Sequence, residues 1–360
     1  MKKKKILIFC PRIDSGGLEK TLAIYSNFLA NYFEVIILTN CQYKNKLQLS
    51  KKIKVFNKKN SFFFNLRLIN NIYCIFLYLK YFKDLKLIFS IQDHFFILFL
   101  KIFIKNLKLI IRTSSTIINF KNKYEQRNLK KIKLVKLFSL YLYNLADLVI
   151  TFSFDNKKFL SSKINSRVEV IYNYFPLKKL KKKNKKLKNI FFIGRLVEDK
   201  NPIFFIENLL KVNKIINCKI HIVGKGYLAR KITEYQRKNK KDIIFHGYVK
   251  KPFEKFKNKI DLFCVTSKYD GTPNVLGEAM SYGIPCLAPN KVGLSKLLLS
   301  NEKYGYLYDP EKSESFFSKV LKIDKEYSLA LKKARLGFNS MERFNKKNTL
   351  LKLKNAIEKI

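Results

Sequence analysis

Ser267-Lys-Tyr-Asp-Gly-Thr-Pro-Asn-Val-Leu-Gly-Glu-Ala-Met-Ser-Tyr-Gly-Ile-Pro285 follows an apolar run, Ile260-Asp-Leu-Phe-Cys-Val-Thr266, that reads as a short buried strand. Asp270-Gly271 breaks the strand, and Thr272-Pro273 opens a helix, with Thr272 as N-cap and Pro273 at the first helical position. Val275, Leu276, Ala279 and Met280 give this helix its apolar face. Gly283 stands where a left-handed C-terminal cap is expected, and Pro285 prevents continuation. The amides of Asn274 and Val275 therefore lie at the positive end of a helix dipole, a place that receives phosphate or clustered hydroxyls. Two carboxylates accompany it: Asp270 before the loop, and Glu278, which shares a helix face with Asn274. Taken singly, the first is an ordinary turn former and the second an ordinary solvated helix residue.

A second loop of the same kind lies upstream. Asn189–Ile193 reads as a strand, followed by Gly194-Arg195, a short loop with Lys200, and a helix begun at Asn201-Pro202. That order sets a guanidinium and an ammonium beside a helix N-terminus, where they can neutralise a diphosphate and stabilise it as it departs. Further strands are expected at Lys219–Val223, before a Gly224-Lys-Gly226 turn, at Ile243–Val249 and at Cys286–Ala288.

The amino-terminal half repeats the alternation. Ile6–Cys10 is a strand, Gly16-Gly17 closes a loop, Leu18–Tyr32 is a helix and Phe33–Thr39 a returning strand, the opening βαβ of a parallel sheet. Strands are also expected at Leu87–Ile91, Leu109–Thr113, Ala146–Ser153 and Val168–Pro176. Leu177–Lys188 is a lysine block that no core tolerates, and it marks a linker. Met341–Ile360 reads as a terminal helix. The class is α/β, and 360 residues suffice for two domains with separate cores.

Charge and composition narrow the function classes. With 74 basic and 26 acidic residues the formal net charge is +48. Nucleic acid, an anionic membrane surface and biased coding each account for such an excess. Lysine dominates over arginine and Trp is absent, as an AT-rich genome writes on any tolerant surface. No RNP, helix-turn-helix or zinc module is present and the lysines form no concentrated stripe, so no nucleic-acid partner is expected. Cys10, Cys41, Cys74, Cys218, Cys264 and Cys286 are scattered, mostly in apolar runs, and read as small core residues of a reducing, cytoplasmic compartment. No Asp-x-Asp occurs, and neither a metal nor another cofactor is expected. The amino terminus lacks a cleavage site, and Phe95–Ile104 is too short to span a bilayer. The apolar-basic helices expected at His94–Lys105 and Leu129–Asn144 have two readings. One is core packing with snorkelling lysines, the other an interfacial surface on anionic lipid.

Asp270-Gly-Thr-Pro-Asn-Val-Leu-Gly-Glu-Ala-Met-Ser-Tyr-Gly-Ile-Pro285 resembles the signature of the retaining glycosyltransferase family numbered four, the glycosyl transferases group 1. Gly194-Arg-Leu with Lys200-Asn201 resembles that family's donor-pyrophosphate motif, and Gly16-Gly17-Leu18-Glu19 its amino-terminal glycine loop. The resemblance implies the GT-B fold, two Rossmann-like domains facing each other across a cleft. The expected boundaries are 1–173 for the acceptor-side domain, 174–188 for the linker and 189–340 for the nucleotide-sugar domain. Residues 341–360 are expected to pack back on the first domain.

By the same resemblance Arg195, Lys200 and Asp270 are the catalytic residues. Gly16, Gly17, Gly194, Gly224, Val249, Gly271, Thr272, Pro273, Asn274, Val275 and Glu278 would bind the donor, a UDP- or GDP-sugar. The acceptor would be a glycan or a lipid-linked glycan of the cell envelope. Attachment to the inner face of the plasma membrane would be peripheral.

Three positions depart from the family pattern. Asp270 stands where Glu is usual, Thr113-Ser114-Ser115 follows a strand often followed by His, leaving His94 as the nearest histidine, and Gly293-Leu-Ser-Lys296 replaces Gly-x-x-Glu. The alternatives are a GT-B nucleotide-sugar epimerase or inactive sugar-binding subunit and, more remotely, a nucleic-acid binder.

Overall fold

The computed structural model describes residues 3–13, 17–40, 48–58, 66–91, 94–113, 137–178, 186–268, 270–271 and 273–360. The chain forms two compact units, Met1–Tyr174 with Lys346–Ile360, and Phe175–Asn345. Each is a parallel sheet with helices on both faces, the α/β architecture expected. The residues expected to link them include 179–185, outside the described residues.

The first unit holds β1 (Lys5–Phe9), β2 (Glu34–Leu38), β3 (Lys54–Phe56), β4 (Leu87–Ser90), β5 (Lys108–Arg112), β6 (Leu148–Thr151) and β7 (Arg167–Val170). They lie in the order β3-β2-β1-β4-β5-β6-β7. Leu7 pairs with Ile36 on one side and Ile88 on the other, so β1 is central. Such strands are apolar on both faces, which is why they read as continuous runs instead of alternating ones. Ile6 and Ile8 face a core that includes Leu22, Tyr25 and Leu29 of the helix Gly17–Leu29 and Leu350, Leu353 and Ile357 of the chain end. Leu7 and Phe9 face the opposite core, built with the helices Arg67–Phe82, His94–Phe103, 137–143 and Phe154–Ser161.

Several sequence boundaries need correction. The strand expected to reach Pro176 ends at Val170, because past Ile171, which still donates to Thr151 O, no neighbouring strand continues the ladder. The terminal helix expected over 341–360 is divided at Asn345, whose extended backbone separates a short turn, Met341–Phe344, from the helical stretch after it. Residues 129–136 of an expected helix lie outside the described residues. Strand β3 was not expected; it is a three-residue edge strand with a lysine, too short to leave a periodic signal.

The second unit holds β8 (Asn189–Ile193), β9 (Lys219–Val223), β10 (Ile243–Phe245), β11 (Leu262–Cys264), β12 (Cys286–Pro289) and β13 (Tyr306–Tyr308). Their order is β10-β9-β8-β11-β12-β13. The chain winds outward one way from β8 and the other way from β11, so the topological switch lies between these two strands. In such sheets ligands bind outside the carboxyl ends at that point. Strand β10 stops four residues short of Val249, because Gly247 takes a left-handed conformation (φ +64°).

A polar relay crosses this second core. Asp261 accepts hydrogen bonds from the amides of Lys188 and Asn189 and from Asn189 Nδ2. His221 Nε2 donates to Asn189 Oδ1 at 3.0 Å, which leaves its Nδ1 to accept from His246 Nε2 at 2.9 Å. Both imidazoles stack on Phe191, His221 at 4.2 Å between centroids. Burial, then the Lys259 charge, lowers the His221 pKa to about 3, so the ring is neutral in the fold.

Candidate functional site

The loops after β8 and β11 flank the switch point, and their backbones are tied together. Lys268 N–H donates to Asp199 O at 2.8 Å. The Thr266 hydroxyl is shared between the carbonyls of Lys200 and Asn201 at 3.0 and 3.1 Å. After β8 the chain passes Gly194 and the exposed Arg195, makes a single turn at Glu198–Lys200, and enters the helix Pro202–Val212 through Asn201. Asn201 has φ +52°, a left-handed conformation that Asn tolerates better than most side chains.

Lys200 and Asp270 form an ion pair in which the ammonium donates to Asp270 Oδ2. Their side chains are 19% and 15% exposed. Burial raises the Asp270 pKa, Lys200 lowers it by charge and hydrogen bond, and Arg195 lowers it by charge; burial prevails. The three residues therefore share one electrostatic field.

The helix after β11 runs Asn274–Ser281. Pro273, expected as its first helical residue, is the N-cap instead (φ −72°, ψ 81°), because its carbonyl already accepts from Leu276 at 2.8 Å. Thr272, the expected cap, lies outside the described residues, as does Gly16. The amides of Asn274 and Val275 precede the first intrahelical bond, at the positive end of the helix. Val275 is half-buried, not part of the buried face of Leu276, Ala279 and Met280. Glu278 is half-buried one turn beyond Asn274. Gly283 has φ +64°, the left-handed cap expected of it.

Two glycines set the approach of the neighbouring loops. A Cβ on Gly224 would lie 1.9 Å from Gly194 O, so the loops after β8 and β9 touch through backbone. A Cβ on Gly293 (φ +52°) would lie 2.3 Å from Asp270 O and 2.7 Å from Gly271 O. Gly293 therefore shapes the Asp270 loop from beneath, a role that a bare Gly in a turn did not disclose. Thr266 also joins the two loops, and the sequence signal for it is a Thr-Ser pair closing an apolar strand. Lys296 is exposed.

The structure thus brings Gly194, Arg195, Lys200, Gly224, Asp270, Gly271, Pro273, Asn274, Val275 and Glu278 to the carboxyl edge of one sheet. Val249 lies in irregular chain beyond β10, at the edge of the sheet away from the switch. Gly17 belongs to the first unit, at the start of its first helix. His94, the histidine nearest the missing one, is buried there. Its Nε2 donates to Arg112 O and its Nδ1 accepts from Ser90 Oγ, both at 2.8 Å. Among the described residues no group of three or more His, Cys, Asp or Glu is arranged to hold a metal ion.

Two Rossmann-like parallel-sheet units define the GT-B fold class. HepE of Anabaena, solved with UDP and glucose, has this chain's fold: TM-score 0.76 at 16% identity, covering 99% of this chain and all of that one. Residues 187–325 match the family described as glycosyl transferases group 1. An uncharacterized glycosyltransferase of Methanocaldococcus jannaschii, MJ1059, is 29% identical over 209 residues, 49% of this chain and 51% of that protein. The Escherichia coli UDP-Gal:α-D-GlcNAc-diphosphoundecaprenol α-1,3-galactosyltransferase is 30% identical over 166 residues, 43% and 42% of the two chains. The chain thus spans about half the length of the curated relatives it matches.

Proposed function

We propose that the protein is a retaining glycosyltransferase that moves a sugar from a UDP- or GDP-sugar to a glycan or lipid-linked acceptor of the cell envelope. The observation that carries the reading is the Lys200–Asp270 ion pair, in the field of Arg195, which joins the loops on either side of the switch point of the second sheet just before the helix Asn274–Ser281. Cations and a helix start on neighbouring loops are what a diphosphate leaving group requires. The relatives named for sugar transfer, one from a UDP-sugar to a diphosphate lipid, support the same reading.

In this reading the donor diphosphate lies against Arg195, Lys200 and the amides of Asn274 and Val275. Gly194, Gly224 and Gly271 shape the loops around it, Gly224 by letting the loops after β8 and β9 touch through backbone, and Glu278 accepts from the ribose hydroxyls. Asp270 accepts from the hydroxyls of the transferred sugar. The bond from the anomeric carbon to the diphosphate oxygen breaks as the acceptor oxygen attacks on the same face. The acceptor proton passes to the departing diphosphate, so neither a covalent nucleophile nor a metal is needed. The chain's contribution is positioning and charge. The planar fork of the Arg195 guanidinium suits two phosphate oxygens at once.

The test uses the purified full chain with a panel of UDP- and GDP-sugars, read first by thermal shift and then by release of the nucleoside diphosphate in the presence of a membrane-lipid extract. Arg195→Ala and Glu278→Ala are expected to abolish transfer while leaving the melting profile unchanged. Full activity in either variant, or stabilisation by oligonucleotides and by no nucleotide-sugar, would sink the reading.

A further inference from the structure

We propose that Phe175 is a positioning residue for the helix Asn274–Ser281: its ring, seated on Gly277, sets where Asn274 and Glu278 stand. The proposal rests on the reading of that helix as part of a donor site.

Glycine is a costly choice for the middle of a helix, and Gly277 stands there. The space beside it explains the choice. A Cβ on Gly277 would lie 2.5 Å from Phe175 Cζ and 2.7 and 2.8 Å from the two Cε atoms of that ring. The far end of the ring therefore meets the helix backbone directly, in the place a side chain would otherwise take. Gly277 lies three residues after Asn274 and one before Glu278, within the turn that carries both. Ordinary core packing accounts for a buried phenylalanine, but it does not call for a glycine in the helix opposite.

The ring is held on its other sides. Phe344 meets it edge to face, with centroids 5.9 Å apart and the planes at 90°. Phe175 N–H donates to Phe344 O at 3.3 Å. The Arg343 guanidinium lies 4.7 Å from the Phe344 ring centroid, and its Nη2 donates to the carbonyls of Leu297 and Leu298, both at 2.9 Å. Three residues beyond Phe175, Lys178 N–H donates to Ser281 O at 3.0 Å and so satisfies a carbonyl of the last helical turn. One short stretch thus grips the helix at its middle and at its carboxyl end. Phe175 is the first residue of the second unit and Phe344 the last but one, so the segments by which the chain enters and leaves this unit are bonded to each other beside the helix.

The test is titration calorimetry of the purified full chain with UDP and with GDP, at a temperature where melting curves show every variant folded. Phe175→Ala and Gly277→Leu should each weaken binding of the nucleotide that the wild type takes by about tenfold. In the double variant the leucine fills the space the ring has left, and affinity should return to within about threefold of the wild type. Val320→Ala, at a fully buried position elsewhere in the core of the same unit, is the reference. It should lower the melting temperature and leave the affinity unchanged, which separates positioning from mere stability. Phe175→Leu, which withdraws the end of the ring from Gly277, is the second variant should Phe175→Ala fail to fold. Wild-type affinity in the Phe175 variant, a double variant no better than the single ones, or equal weakening in Val320→Ala would overturn the proposal. A wild type that binds neither UDP nor GDP would instead overturn the donor-site reading, and the proposal with it.

Discussion

Lys200 and Asp270, 70 residues apart in sequence, neutralise each other at the switch point of the second sheet. The family resemblance implies a donor-diphosphate contact for Lys200 and a catalytic place for Asp270, and in the fold each serves as the other's counterion. The pair ties the loop after β8 to the loop after β11; in the proposed reading a bound diphosphate gives Lys200 a second anion. Lys200→Ala should leave Asp270 poorly solvated with only Arg195 to offset its charge. The cost should be on the order of 2 kcal/mol, between the limits for exposed and buried pairs. The double variant Lys200→Met with Asp270→Leu should recover most of that stability and none of the activity. Denaturant midpoints of the two variants check the first claim and nucleotide release checks the second. A double variant no more stable than Lys200→Ala would show that the pair does not couple the loops.

Gly293→Ala should disturb the site although Gly293 contributes no side chain to it. At φ +52° an alanine is strained by roughly 1–2 kcal/mol, and its Cβ would press on the carbonyls of Asp270 and Gly271. The loop must move, taking Asp270 from Lys200. A fall in kcat/KM of at least about tenfold is expected, since small misplacements of positioning groups weaken catalysis steeply. Gly247→Ala is the control: it has a left-handed backbone too (φ +64°), but nothing lies within 4 Å of the added Cβ. It should lower stability comparably and leave kcat/KM nearly unchanged. Equal loss of kcat/KM in both variants would remove the assigned role of Gly293.

The sequence carried the site loops because glycine, proline, asparagine and aspartate act locally. Gly194, Asn201-Pro202, Asp270-Gly271 and Gly283 announce turns and helix ends wherever the rest of the chain goes. The α/β class followed from apolar runs such as Ile6–Phe9 and Ile190–Ile193, whose burial on both faces needs no partner to be recognised. What the sequence did not disclose depends on partners far along the chain. The Lys200–Asp270 pair, the seat of Gly293 beneath Asp270, and the relay from His246 through His221 and Asn189 to Asp261 are long-range. Pro273 shows the finer limit: its ring fixes φ, but ψ alone separates the N-cap from the first helical position. The helices Ala229–Lys238, Ser313–Lys325 and Tyr327–Ser340 are hard to read from the sequence because basic residues run through them, and on so basic a chain lysine no longer marks the outer face.

The His221 relay makes the second unit sensitive to mild acid. His221 titrates near 6.5 when unfolded and at about 3 in the fold. Above pH 6.5 both states are neutral and the histidine adds no pH dependence. Between 6.5 and 3 the unfolded chain takes a proton that the folded chain refuses, so stability falls as pH falls, by about 1.4 kcal/mol per unit. The pKa of His246 is lowered as well, chiefly by burial and then by Lys259 and Lys255, and it acts in the same direction. From pH 7 to 5 the second unit should lose about 2 kcal/mol through His221 alone. His221→Phe should lower stability at pH 7 and flatten this slope. An equally steep slope in the variant would place the titration elsewhere.

The last residues of the chain should matter to the first unit and not to the second. Leu353 is fully buried in the core beneath β1, with Leu350 and Ile357 as neighbours in the same cluster. Leu353→Ala removes buried methyl groups and leaves a cavity among side chains from several elements, a change that costs roughly 2–5 kcal/mol. Two units with separate cores need not melt together, so calorimetry can resolve them as two transitions. The variant should lower the transition assigned to the first unit and leave that of the second in place. The His221→Phe variant provides the assignment, because its effect falls on the second. A single transition lowered equally by both variants would mean that the units unfold as one, and the separate attribution of either core would fail.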